Sequence, residues 1–328
     1  MAGELIIWTF LFLAGYITIY LTADYLIDLL EELSEVYAIS PVIVGLFILG
    51  IDFEESIVSV IAAYNGLPYL SLGNLIGNTI IAVAIAFGLP AFFLKFRVKQ
   101  IPFFYYGALL LAALSVALST IFPQFLIVFA LLNGILFGSY AVRSYRVQKD
   151  FEKGLMTNNS QKNTTEVTSA DEDNAETEEA RLPLILKVIG AILFIFVGGE
   201  ALVISAEQIM QSTGLSETFF GLIIMAFVTN VEEFWLIVKA VQKGQLELGV
   251  SAQIGKILWN ITLIYCVCGL LIGQFEFKLI MAISSLIFLM ILTLLVIQLV
   301  RKTLTRGSGL IFFAFLSCFL LLNLLFIF

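Results

Sequence analysis

This chain contains no histidine at all, and only 13 % of its 328 residues are charged. The first absence removes the commonest proton shuttle and the commonest transition-metal ligand. The second is incompatible with a solvated globular surface, since a soluble domain carries about a quarter charged residues. Cysteine is scarce too: Cys266, Cys268 and Cys318 all lie in apolar segments, and an odd three gives no disulfide framework. The opening MAGELIIWTF has no basic stretch and no small-residue cleavage site, so it reads as the start of a membrane span rather than a removable signal. No nucleophile–base pair, phosphate loop or metalloprotease motif is found, which argues against an enzyme.

What the chain has in excess is apolar sequence: 60 % hydrophobic residues and a mean hydropathy of +1.03. The excess is gathered into runs at residues 5–30, 40–64, 70–93, 101–122 and 124–142, and again at 182–210, 217–241, 246–273, 279–300 and 309–328. Each is long enough to cross the hydrocarbon core as a helix, and the runs are continuous rather than alternating. The expected fold is therefore an all-α integral membrane protein with ten transmembrane helices. Its expected organisation is a first five-helix half over residues 1–142, a linker over 143–181 and a second half over 182–328.

The linker is polar and acidic, with Asp171, Glu172, Asp173, Glu176, Glu178 and Glu179 in close succession. It cannot bury enough apolar surface to order itself, so it reads as a flexible aqueous loop. The loops after the third, fifth, seventh and ninth spans must share one side of the membrane. They and their flanks hold every one of the 17 basic residues except Lys256, which lies inside a span, and Lys278. The positive-inside rule makes that side cytoplasmic and puts both termini outside.

The two halves resemble each other. GIDFEESIVSVIAAYNG (Gly50 to Gly66) precedes VTNVEEFWLIVKAVQKG (Val228 to Gly244) at a constant offset that also pairs Gly77 with Gly255 and Asn78 with Lys256. An odd number of spans per half forces opposite orientations, the inverted repeat of secondary transporters, whose sites lie near the midplane where the halves meet. Asp52, Glu54, Glu55, Glu232 and Glu233 are all intramembrane by this reading, at about 2.5–3.5 kcal/mol each on insertion scales, which usually marks an ion pathway. Pairing with bases does not account for them, because Lys256 is the only intramembrane base. Residues three apart share a helix face, so Asp52 acts with Glu55, and Asn230 with Glu233. Glu54 and Glu232 point about 100° away, toward a second cavity or another helix. Carboxylate and amide oxygens are hard ligands suited to Ca²⁺, Mg²⁺ or Na⁺. GNLIGNTIIA (Gly73 to Ala82) and SAQIGKILWN (Ser251 to Asn260) add amides that serve as ligands or as interhelical glue, and glycines whose expected role is close helix packing.

At these residues the chain resembles the Ca²⁺/cation antiporter superfamily, the sodium/calcium and proton/calcium exchangers, whose inverted repeats carry motifs like GLTIVAFGTSLPE and GNxxGSNxxN. GLIIMAFVTNVEE (Gly221 to Glu233) fits the first in register, GIDFEE aligns its last acid at Glu55, and GNLIGN (Gly73 to Asn78) fits the second. The resemblance implies a cation site with Glu55 and Glu233 as metal ligands, completed by Asp52, Asn230, Asn78 and Asn260. Glu54 and Glu232 stand where the family has proline, Asp52 and Asn230 where it has serine, and Ala82 where it has asparagine. Lys256 stands at another serine position. Lys256, Glu54 and Glu232 are thus candidate charge partners rather than carried-over ligands.

The function expected from all this is secondary active exchange of a divalent cation, Ca²⁺ first, for Na⁺ by alternating access. Sliding of the first and sixth spans would switch access, as the resemblance implies, and Asp24 and Glu200 in those spans would line a path or sit at helix ends. An H⁺-coupled exchanger is the alternative, since neighbouring carboxylates favour proton binding. A non-transporting or sensory protein in which the Lys256 ammonium fills a cation site is the alternative of a different class. The expected partners are small inorganic cations and membrane lipid, with no nucleic acid and no resident cofactor.

Overall fold

The computed structural model describes residues 2–36, 52–93, 96–97, 103–160, 174–230 and 246–327. Among these, ten helical segments follow in chain order. They are α1 (Ala2–Val36), α2 (Phe53–Tyr64), α3 (Pro68–Phe93), α4 (Phe103–Ile121), α5 (Leu126–Ser160), α6 (Asn174–Thr213), α7 (Glu217–Thr229), α8, α9 (Leu279–Val300) and α10 (Arg306–Leu324). Helix α8 runs Leu246–Trp259, passes through a π-helical turn at Asn260–Ile264 and ends as Tyr265–Ile272. Eight of the ten contain a stretch long and apolar enough to cross a membrane. The other two, α2 and α7, are shorter and carry parts of the repeat motifs. Residues 37–51 and 231–245, with Glu232 and Glu233, lie outside the described residues.

Local signals in the sequence explain the helix ends. Asp52 caps α2, Pro68 opens α3 at a position where a missing N–H costs nothing, Ser216 caps α7, and Thr305 with Ser308 forms a capping box on α10. Gly66 follows α2 with φ +76°, a left-handed conformation that explains the glycine at this point of the repeat motif. The linker is more helical than its composition implied: α5 continues to Ser160 and α6 starts at Asn174. The Arg, Lys, Gln and Glu of these stretches are good helix formers, and they extend ladders the spans have already nucleated.

The interior has two parts. One apolar cluster joins α3, α4, α8, α9 and α10, and the other joins α1 and α6 to α2 and the first turns of α7. α1 and α6 cross with backbones touching, because a Cβ at Gly15 would sit 2.8 Å from the Gly198 carbonyl oxygen. Large apolar side chains such as Phe10 and Phe194 are exposed on the outside of this pair, the surface a lipid-facing helix presents.

The ends of the helices alternate as membrane crossings require. At one end, β1 (Phe96–Arg97) pairs with β2 (Thr303–Leu304), and the Arg143 guanidinium lies 5.2 Å from the Phe104 ring centre. The loops after the third, fifth and ninth spans therefore meet there. At the other end, Tyr69 Oη donates to the Glu276 carbonyl at 2.9 Å, and Glu217 accepts from Tyr69 N and Leu70 N at 2.7 and 2.9 Å. Ser216 N donates to the Ile327 carbonyl, joining the tail of the last span to that end. Lys278 sits there too, its ammonium 3.5 Å from the Tyr69 ring centre.

Candidate cation-binding site

The site is framed by the contact of α3 with α7. A Cβ on Gly77 would lie 2.1 Å from the Leu222 carbonyl oxygen, one on Gly73 would lie 3.0 Å from Leu222 N, and one on Gly221 would lie 2.6 Å from the Tyr69 carbonyl oxygen. The two helices therefore touch backbone to backbone, and Gly73 and Gly77 are packing glycines. A Cβ on Gly255 would meet none of the described atoms within 4 Å, so that glycine shows no such contact among the described residues.

Close approach brings the polar residues of the two repeats together. Asn78 Nδ2 donates to Thr229 Oγ1 at 3.1 Å, and Asn230 Nδ2 donates to the backbone carbonyls of Asn78 at 3.2 Å and Ala226 at 2.8 Å. Asn74 Nδ2 reaches Ser59 Oγ on α2 at 3.0 Å. On the third side, Asn260 opens the π-helical turn of α8 and directs its amide onto two acids. Asn260 Nδ2 donates to Asp52 Oδ2 at 3.3 Å and to Glu55 Oε2. π-Helical turns recur at functional sites because the extra residue turns a side chain out of the regular helical register.

Asp52 and Glu55 do come together, though not as two residues of one helix face. Asp52 stands outside α2 with φ −97° and ψ 87°, and its Oδ1 accepts from Glu55 N at 3.3 Å as the helix cap. Glu54 is buried to 4 % exposure on another face of α2. Val58 and Ile61, four and seven residues further along α2, pack in the cluster containing α1 and α6. Ser56 and Ser59 are site residues the sequence reading passed over. Ser56 Oγ accepts from Trp259 Nε1 at 3.0 Å, and Ser59, one turn beyond Glu55, was discoverable from helical spacing alone. Thr229, next to Asn230, was passed over as well.

Asp52, Glu55, Asn78, Asn230 and Asn260 are each no more than 4 % exposed. Among the described residues, three amide oxygens in this region, Asn74 Oδ1, Asn230 Oδ1 and Asn260 Oδ1, are buried without a hydrogen-bond partner. Buried polar atoms are almost always satisfied, so orphaned acceptors beside carboxylates fit a site that takes a positive guest. The donors present are hard oxygens of two carboxylates and several amides, which suits Ca²⁺ or Na⁺ and not a thiophilic metal. Among the described residues, no group of three or more His, Cys, Asp or Glu converges, and the acids Glu232 and Glu233 lie outside them.

Lys256 is 9 % exposed, one helical turn before Asn260 and so on the same face of α8. That burial leaves little of the side chain to snorkel to a surface. Outside the site, Glu200 Oε2 accepts from Asn65 Nδ2 at 3.2 Å, which ties it to the end of α2, and Asp24 is exposed. All three cysteines are free thiols, two of them buried.

Comparison with known proteins agrees with this architecture. The chain is 23 % identical over 266 residues to the inner membrane protein YrbG of Escherichia coli (strain K12), covering 78 % of this chain and 77 % of that one. It is 29 % identical over 85 residues to the sodium/potassium/calcium exchanger 1 of Rattus norvegicus, covering 26 % of this chain and 7 % of that much longer protein. Among solved structures, an H⁺/Ca²⁺ exchanger, CAX, superposes with a TM-score of 0.72 at 15 % identity, over 97 % of this chain and 85 % of its own. The sodium-calcium exchanger NCX_Mj superposes with a TM-score of 0.55 at 19 % identity, over 96 % and 98 %. At those identities the likeness establishes the fold and not the ions. Two segments of the chain, residues 7–146 and 184–325, each match the sodium/calcium exchanger protein family on either side of the linker. With most of both halves matched and the exchanger fold around a buried acid–amide site, the chain belongs to the sodium/calcium exchanger protein family, a family of transporters.

Proposed function

We propose that the chain is a secondary active antiporter that exchanges a divalent cation, Ca²⁺ first, for Na⁺ by alternating access. One observation carries the reading: two carboxylates, Asp52 and Glu55, buried in the membrane interior and bridged by the single amide of Asn260. Two like charges held this close in a dry site favour positive neighbours, a role a guest cation shares with the Lys256 ammonium. Glu55 and Glu233 are the principal ligands, with Asp52, Asn78, Asn230 and Asn260 completing an oxygen cage. The halves run over residues 1–142 and 182–328. The test is uptake of radiolabelled Ca²⁺ into proteoliposomes under separate Na⁺ and H⁺ gradients, and uptake driven by Na⁺ alone is expected.

The same observation favours one second reading. Two acids on one amide also relieve their repulsion by taking up a proton, so uptake driven by H⁺ alone would replace Na⁺ coupling with proton coupling. Uptake under neither gradient would leave the non-transporting reading, with the Lys256 ammonium as a permanent occupant.

Lys256 gives the assay a second arm. A buried ammonium one turn from Asn260 takes up space and valence that a coupling ion would otherwise use, with Glu55, Asp52 or Glu233 as its counter-charge. Lys256→Ser, which restores the residue type of the family motif, is expected to raise the dependence of uptake on Na⁺. Unchanged ion dependence would remove Lys256 from the site.

Orientation follows from the charge asymmetry: the end where β1 meets β2 is cytoplasmic and both termini are outside. In intact cells, a cysteine introduced by Ser169→Cys is expected to escape an impermeant thiol reagent added externally. Labelling there would invert the topology.

A further inference from the structure

The surface between α4 and α5 carries a feature that cation exchange does not use. Two grooves run end to end along these antiparallel helices and share Ile135. The first, about 280 Å³, is lined by Leu114 and Leu118 of α4 and Phe129 and Leu132 of α5, with almost no polar surface. The second, about 450 Å³, runs past Gly138 and Val142 to Phe104, Arg143 and Arg146. Between Leu118 and Phe104 the helix rises about 20 Å, more than the half-thickness of a hydrocarbon core. The track is thus long enough for one acyl chain, and it ends in charge of one sign.

That end is built for an anion. Arg143 and Arg146 are both exposed, one turn apart on α5, and the Arg143 guanidinium is steadied over the Phe104 ring at 5.2 Å. A guanidinium offers paired donors that match a phosphate oxygen edge. It also lies at the end shared with the β1–β2 pair, where the loops concentrate their basic residues and where anionic lipids concentrate in a cytoplasmic leaflet. The geometry points to a binding site for one anionic phospholipid, with its acyl chain in the Leu114–Phe129 groove and its phosphate on Arg143 and Arg146.

The occupant would press on the helix that supports the cation site. α5 meets α8 so closely that a Cβ on Gly134 would sit 2.7 Å from Cys266 Sγ. Phe137, beside the groove glycine Gly138, packs edge-on against Trp259 at 5.4 Å between ring centres. Trp259 Nε1 in turn donates to Ser56, at the start of α2 near Asp52. A bound lipid therefore buttresses α5 against the helix that carries Asn260.

The test reads lipid retention, so it stands whatever ions the chain moves. Purified full-length protein is stripped of lipid, offered equimolar phosphatidylglycerol and phosphatidylcholine, and the retained lipid is measured by mass spectrometry. Roughly thirtyfold selectivity for phosphatidylglycerol is expected, in line with about 1 kcal/mol from each of two arginines at a membrane surface. The Arg143→Gln, Arg146→Gln double variant is expected to lose that selectivity, and Lys278→Gln at the opposite end to keep it. Gly138→Phe fills the groove where a Cβ meets nothing within 4 Å, so it is expected to fold and to lose the retained lipid. Equal retention of the two lipids by the unaltered protein, or selective retention surviving in either groove variant, would overturn the proposal. So would displacement of the lipid by millimolar inorganic phosphate, which would make the arginines a simple anion site.

Discussion

Glu55→Gln is expected to yield a folded protein that no longer exchanges cations. The substitution keeps the shape of the side chain, and its amide oxygen can still accept the hydrogen bond that Asn260 Nδ2 gives to Glu55 Oε2. What it removes is the charge, in a site where Glu55 is 1 % exposed and water cannot replace it. Removing one partner of a buried ionic pair costs about 3–5 kcal/mol. At 1.4 kcal/mol per decade that is a loss of roughly a hundredfold or more in cation affinity. Radiolabelled Ca²⁺ flux in proteoliposomes checks the loss, and a monodisperse elution profile checks the fold. Flux at the unaltered rate from a monodisperse protein would take Glu55 out of the site. Glu54→Gln is the comparison: Glu54 lies about 100° around α2 from Glu55, so its effect on exchange is expected to be smaller.

Gly77→Ala is expected to damage the protein more than any other single methyl group in α3. The added Cβ would fall 2.1 Å from the Leu222 carbonyl oxygen and 2.9 Å from the Ala226 Cβ. The obstacle is backbone, which cannot swing aside like the tip of a side chain, so α3 and α7 must separate. Overpacking of this kind typically costs about 1–3 kcal/mol, and a clash with backbone belongs at or above the upper end. Separation would also pull Asn78 away from Thr229 and Asn230, so flux should fall together with melting temperature. Gly107→Ala in α4 is the control, because a Cβ there meets nothing within 4 Å. Equal melting temperatures for the two variants would contradict the α3–α7 backbone contact.

The membrane character, the helical class and the paired halves were legible in the sequence because each depends on local or periodic information. A run of apolar residues has one stable way to cross lipid with its backbone satisfied, so hydropathy alone placed helices such as α9 at Leu279–Val300. The repeat offset and the acid motif singled out Asp52, Glu55 and Asn230, residues that the structure buries. The glycines of GNLIGN announced a close helix contact without naming the other helix.

Only the tertiary structure could decide which groups meet. Asn260 joins Asp52 and Glu55 across more than 200 residues of chain, and no periodicity encodes that distance. The partner of Gly77 proved to be the Leu222 backbone, which follows from how two inverted halves interlock. Asp52 reaches Glu55 as a helix cap, because the described helix begins only at Phe53. Sequence determined which side chains carry the charge and which apolar segments cross lipid, since hydropathy is a property of each segment by itself. Packing decided which oxygens converge, since convergence is set by the rotation and approach of helices that are remote in the chain.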